Sequence, residues 1–277
     1  MPALAFSTLG CPEWTWQETV DAAAEMGFDA IEWRGGTDGH VSTGWTTRER
    51  AAVVRRMTVA GVRALAVTAY SAFASRDPAE RARNVAHLGA HVELAADLGA
   101  PFVRTFLGTR DDAAPREAVV ARLADALRPL ADRAASLHVT VVIEPHDDFV
   151  RAADVAAVLA ALGHPAVAAV WDLANAWAEG EPPEAGVAEL GPWIRYVQLK
   201  DGVGRGEDWR LTAIGDGEVP LDRALRALAS LGPLPPLCLE WERAWHPELA
   251  PARDAFPAAL ASMRALARAA SGAAETR

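Results

Sequence analysis

The chain has 277 residues, a mass of 29.4 kDa and 51% hydrophobic residues, which suits one large α/β barrel or two small domains with ample material for a core. A net charge of -10 argues against a nucleic-acid surface, because phosphate binding relies on clustered Lys and Arg, so small molecules are the expected partners. The opening MPALAFSTLG lacks the basic start and long apolar core of a secretory signal, and no later run reaches membrane-spanning length; a cytoplasmic protein without a membrane partner is expected.

Strand-like runs alternate with alanine-rich helical stretches from end to end. The first strand is LAFSTLG from residue 4 and the second AIEWRG from 30, followed by the glycine-rich segment GGTDGHVSTGW around His40, which is read either as a loop that closes over a substrate or as an ordinary exposed loop. ALAVTAYS from 64 and FVRTFLG from 102 are the third and fourth. Helices follow over 79–98 and 116–136, where Ala, Leu and Val recur at helical spacing against Arg, Glu and Asp. TVVIEPH from 140, VAAVWDL from 167, IRYVQLKD from 194 and PLCLEWER from 236 complete the set. Glycines in EMGFDAIEW, VAGVRALAV and DLGAPFVRTF stand where a left-handed cap would end a helix before the next strand.

Eight such units in a chain of this size predict a single-domain (β/α)8 TIM barrel over residues 1–270, with SGAAETR at 271–277 as a loose tail. A doubly wound open sheet is the alternative, but no GxGxxG turn follows the first strand. Cys11 and Cys238 are too few and too far apart for a disulfide framework or thiolate zinc site, so both are expected as free thiols.

In such a barrel, side chains at the C-terminal strand ends surround the mouth. The fifth strand ends at Glu144, the sixth at Asp172, the seventh reads through Gln198 and the eighth through Glu240. A carboxylate closing an apolar run is costly unless a cation meets it. Three carboxylates and an amide oxygen make a hard, all-oxygen set suited to one divalent ion, Mn²⁺ first, with Mg²⁺ or Co²⁺ as alternatives. The competing reading pairs each carboxylate with an arginine such as Arg104, Arg34 or Arg243. Lys200, the only lysine, stands beside this set.

The motifs GFDAIEWRG, VRTFLG, VVIEPH, VWDLAN, VQLKDG, IGDGEVPL and LCLEWE, in this order, resemble those of the xylose isomerase-like barrels. That superfamily of sugar isomerases and epimerases, with AP endonuclease 2-like barrels, also includes inosose dehydratases and endonuclease IV. The resemblance implies metal ligands at Glu144, Asp172, Gln198 and Glu240. Two positions depart from the pattern: many members have histidine in place of Gln198 and in place of Asn175.

A sugar with adjacent carbonyl and hydroxyl oxygens suits such a site, since a cation polarises the carbonyl and stabilises the enediolate left when the α-proton departs. Glu144 and Glu240, from separated strands, are the candidate acid and base. Proton return from the far face of the same carbon gives epimerisation, and return to the neighbouring carbon gives aldose–ketose isomerisation. A leaving group β to the carbonyl would instead make the enzyme a lyase, with His146 or Lys200 as the acid. His146, Lys200, Arg104 and Asn175 are candidate substrate contacts, Trp14 and Trp177 candidate sugar platforms ahead of Trp45 and Trp245, and Arg205 and Arg210 candidates for an acidic group. A catalytically silent sugar-binding barrel is the third reading. Association into homo-oligomers is a further expectation.

Overall fold

The structure is a computed structural model describing residues 1–110 and 113–274. Its strands are β1 (Leu4–Ser7), β2 (Ala30–Arg34), β3 (Arg63–Thr68), β4 (Phe102–Thr105), β5 (Thr140–Ile143), β6 (Val167–Asp172), β7 (Ile194–Leu199), β8 (Asp201–Val203), β9 (Arg210–Thr212) and β10 (Leu237–Leu239). The helices are α1 (Trp16–Met26), α2 (Thr47–Ala60), α3 (Pro78–Leu98), α4 (Arg116–Ser136), α5 (Ala152–Leu162), α6 (Leu173–Ala178), α7 (Pro183–Leu190), α8 (Leu221–Ala229) and α9 (Ala252–Ala274). Strands β1 to β7 pair in order, and β10 closes the ring between β7 and β1, every barrel pair being parallel. The eight-stranded barrel is therefore closed, and the open doubly wound sheet is ruled out. The tail expected at 271–277 begins on α9, and its last three residues lie outside the described residues.

The helices form where the sequence places their caps. Thr15 with Glu18 and Thr46 with Glu49 make reciprocal capping boxes at the starts of α1 and α2. Gly27, Gly61 and Gly99 close α1, α2 and α3 in the left-handed conformation, as expected. The strands' outward faces carry Phe6, Ile31, Trp33 and Trp171, all fully buried in the apolar core. Inside the ring lies a smaller cluster of Ala5, Ala30, Leu65, Ala66, Val142, Ala168, Val170, Tyr196 and Cys238. Cys11 and Cys238 are both free and buried. Among the described residues no helix is long and apolar enough to cross a membrane.

The long segment after β7, read from the sequence as a loop, contains the antiparallel hairpin β8–β9. Three-residue strands are too short to leave a pattern. Asp201 organises the hairpin's return: its buried carboxylate accepts backbone N–H groups from Gly202 at 2.9 Å, Gly215 at 2.8 Å, Gly217 at 3.2 Å and Val219 at 3.2 Å. Asp201→Ala would orphan these donors, and a loss of about 1–3 kcal/mol is expected. Faster hydrogen exchange at Gly215 and Gly217 would report it; unchanged exchange would show that the turn holds without the carboxylate.

On α3, His91 is buried against Gly35, where an added Cβ would lie 2.8 Å from the ring. One ring nitrogen meets His87 O at 2.9 Å and the other has no partner. Burial lowers the His91 pKa, so the unfolded chain takes up its proton at about 6.5 while the folded chain resists. The stability this contributes is present above that value and is lost as pH falls through the folded pKa. Replacing His91 with Phe is expected to flatten the acid-side decline, by at most about 1.4 kcal/mol per pH unit. Parallel urea melts between pH 7.5 and pH 5 would measure the difference; identical slopes would contradict it.

Candidate active site

Side chains two apart on a strand share a face, and this period builds the site on the barrel's inner layer. Above Ala30 stands Glu32, above Phe102 stands Arg104, above Val142 stands Glu144 and above Val170 stands Asp172. Tyr196 is followed upward by Gln198 and Lys200, and Cys238 by Glu240 and Glu242. All of these polar residues are at most 4% exposed, except Glu242 at the rim. One carboxylate oxygen each from Glu144, Asp172 and Glu240 lies within 4.8 Å of the others, so the expected strand ends do converge.

Two cations are interleaved with these acids. Arg104 Nε lies 3.1 Å from Glu144 Oε2, whereas Arg34 donates to Asp38 O and Arg243 pairs with Glu13. Of the three candidate arginines, only Arg104 reaches the cluster. The larger share falls to Lys200, whose Nζ is 2.7 Å from Asp172 Oδ2, 3.0 Å from Glu240 Oε2 and 2.5 Å from Glu242 Oε1. Burial opposes the charge on Lys200, but Asp172, Glu240 and Glu242 outweigh it and raise the pKa well above the ordinary lysine value. Arg104 is likewise held charged against burial by Glu144, Tyr70 and Glu32.

The carboxylates behave differently. Burial raises Glu144 well above the usual range, against the pull of Arg104 and with repulsion from Glu240 and Asp172 added. Burial also raises Glu240, partly offset by Lys200. Five acids, counting Glu32 and Glu242, thus share two cations, and the surplus negative charge is relieved by protons or by a further cation.

The remaining hydrogen bonds show which oxygens are committed. Asn175 Nδ2 donates to Glu144 Oε1 at 3.3 Å, and Asp172 Oδ1 accepts the N–H groups of Ala174 and Asn175 at the start of α6. Gln198 Nε2 donates to Glu240 Oε1 at 3.1 Å and to Glu32 Oε1 at 3.3 Å, while Gln198 Oε1 is buried with no partner. A buried amide oxygen without a donor beside three convergent carboxylates fits a hard divalent ion. A cation using Asp172 Oδ2 and Glu240 Oε2 would share them with the Lys200 ammonium or displace it.

The other sequence candidates divide between rim and periphery. His146, a candidate substrate contact, follows Pro145 beyond the end of β5 at Ile143. Its ring lies at the rim, 41% exposed, with Nδ1 2.9 Å from Asp147 and the ring centroid 4.5 Å from Phe106. A cavity of about 450 Å³ opens there, lined by His146, Asp147, Asn175, Glu179 and Trp209. Arg205 lies 4.0 Å over the Trp177 ring and donates to Trp177 O, joining the hairpin to α6. Arg210 is spent on the carbonyls of Glu207 and Trp209.

Trp14 and Trp45 line a different cavity of about 270 Å³ with His40 and Asp38, and no residue of the carboxylate cluster lines it. His40 is buried and its Nε2 is 3.0 Å from Cys11 O, which ties it to the loop after β1. Trp245 stands exposed at the mouth beside Arg34 and Tyr70.

The sequence reading did not place Tyr196, Glu242 or Glu32 at the site. Glu32 closes an apolar stretch, AIE, as Glu144 closes VVIE, and that signal was available. Tyr70 and Phe106, whose rings face the Arg104 guanidinium at 4.9 Å and 4.3 Å, left none.

No curated protein matches the chain. Among solved structures, the IOLI protein with a bound zinc atom superposes with a TM-score of 0.83 at 19% identity, over 96% of this chain and 98% of that one. L-ribulose 3-epimerase gives a TM-score of 0.82 at 19% identity, over 100% and 98%. The probable 3-DHS dehydratase AsbF of Bacillus anthracis gives 0.76 at 16%, over 95% and 99%. These likenesses are of fold. The model of the xylose isomerase-like TIM barrel family matches residues 20–266, and the chain belongs to that family.

Proposed function

We propose that this protein is a divalent-metal-dependent sugar isomerase or epimerase that moves a proton on a keto-sugar or related polyol through an enediolate. The observation that carries the reading is the buried meeting of Glu144, Asp172 and Glu240 beside the unpartnered oxygen of Gln198. These four residues would hold the ion, which when bound polarises the substrate carbonyl and offsets the charge that develops on its oxygen. Mn²⁺ is the ion proposed, on the hardness of the donor set.

The protein's own groups perform the transfer. One of Glu144 and Glu240 takes the proton from the carbon next to the carbonyl; the C–H electron pair becomes the enediolate double bond, and charge moves to oxygen. For epimerisation the other glutamate returns a proton to the same carbon from the opposite side; for isomerisation a proton is returned to the neighbouring carbon. Burial raises both carboxyls toward neutrality, which suits groups that must gain and lose a proton near pH 7. Arg104 holds Glu144 in place, and its buried Nη1, without a hydrogen-bond partner, is available to a substrate oxygen. Lys200 orients Glu240 and Asp172 and, with its raised pKa, remains charged rather than acting as an acid.

A lyase reading keeps the same enolate and expels a β-leaving group. It is supported by the position of His146 at the rim cavity, which leaves that imidazole as the acid once Lys200 is set aside. AsbF, a probable 3-DHS dehydratase, has the same fold. Incubation of Mn²⁺-loaded protein with a panel of keto-sugars in deuterated water tests the proposal. Solvent deuterium is expected at the carbon next to the carbonyl, with an isomeric product for the first reading and a dehydrated or cleaved product for the second. No exchange across the panel would overturn both and leave a sugar-binding barrel.

A further inference from the structure

The Gln198 amide poses a question of orientation. Its two ends have the same shape and opposite polarity, so packing alone does not decide which faces a cation. Glu240 cannot decide it alone, because a cation that neutralises Glu240 weakens its hold on the amide hydrogens. Glu32 is the second acceptor. It lies on β2, across the barrel from β7, is fully buried, and is not one of the convergent carboxylates. Gln198 Nε2 reaches Glu32 Oε1 at 3.3 Å and Oε2 at 3.5 Å. Tyr196, one layer below Gln198 on the same face of β7, donates its hydroxyl to Glu32 Oε2 at 2.5 Å.

From these contacts we infer that Glu32, held by Tyr196, is a positioning residue that turns the Gln198 amide so that its oxygen is left for the divalent ion. The inference rests on the metal-binding reading above. Glu32 touches neither the ion nor the substrate in this scheme; it acts through Gln198. When ionised, its carboxylate can only accept from the amide, so the NH₂ end is drawn toward Glu32 and Oε1 is left over. Groups that orient a metal ligand in this way typically contribute about 10–100-fold in metal affinity.

The substitution Glu32→Gln keeps the shape and reverses the polarity where it matters. The Tyr196 hydroxyl retains the new amide oxygen, the new NH₂ faces Gln198, and the Gln198 amide is driven to turn its oxygen toward position 32. Co²⁺ titrated by calorimetry, with the visible absorption of the bound ion as a second readout, is the probe. Glu32→Gln is expected to weaken Co²⁺ binding about 10–100-fold and to change the absorption band. In a Gln198→Glu background, both ends at position 198 are oxygen and orientation no longer matters. There Glu32→Gln should not weaken binding, since it also removes a like charge facing the new carboxylate.

Equal weakening in both backgrounds would mean general damage around position 32 and would overturn the inference. Binding that falls with Gln198→Ala but ignores Glu32→Gln would overturn it while leaving the metal reading intact. Absence of Co²⁺ binding to the unaltered protein, or binding indifferent to Gln198→Ala, would remove the metal reading and this inference with it.

Discussion

Glu144→Gln and Glu240→Gln are each expected to lower turnover by about 10²–10⁴-fold, the usual contribution of a positioned proton carrier. Both changes preserve shape and remove the capacity to exchange a proton. They also remove a carboxylate from a buried group already short of cations, so the metal-free variants should fold at least as stably as the parent. In the parent, burial holds Glu144 and Glu240 at raised pKa values, meaning that ionising either one strains the fold. The combination of a large kinetic loss with an undiminished melting temperature is the signature to measure. A proportionate fall in both would indicate residues that support the structure rather than the chemistry. If the two carboxylates divide the proton transfers between them, the double variant should lose little more than either single one, because a two-proton relay missing one member is already broken.

Lys200→Met is expected to have the largest effect on folding, about 3–5 kcal/mol, because it strips the ammonium from Asp172, Glu240 and Glu242 and leaves them facing one another. The methionine fills similar volume, so the loss is electrostatic and not a cavity. Two consequences separate this from ordinary core damage. The melting temperature of the variant should recover on lowering the pH, as the carboxyls take up protons, and it should recover more than the parent's on adding Mn²⁺, because the ion then competes with no ammonium. Denaturation with and without Mn²⁺ at two pH values would decide it. A variant as stable as the parent in the absence of metal would show that the ammonium does not hold these carboxylates together.

How far the sequence disclosed the molecule follows from where its information is periodic. The barrel was legible because apolar strand runs alternate with helices, several of which end in glycine, and Gly27, Gly61 and Gly99 do take the left-handed caps that pattern demands. The convergence of Glu144, Asp172, Gln198 and Glu240 was legible for a related reason: in a closed barrel, polar residues ending buried strands have one place to go. Lys200 was noticed as a solitary lysine, but its bridging of three acids depends on Glu242, two residues past Glu240, which the short strand β10 does not advertise. Tyr196 was hidden because a tyrosine in an apolar strand reads as packing, and only its reach across the barrel to Glu32 reveals otherwise. Trp14 and Trp45 were placed near the mouth by loop position alone, and the loops after β1 and β2 fold them around a cavity of their own.

Diffraction from a crystal soaked in Mn²⁺, recorded so that the ion's anomalous signal marks its position, tests the central claim most directly. The expected result is one peak in contact with oxygens of Glu144, Asp172, Gln198 and Glu240. An absent peak, or one bound elsewhere with Lys200 still bridging Asp172 and Glu240, would contradict it.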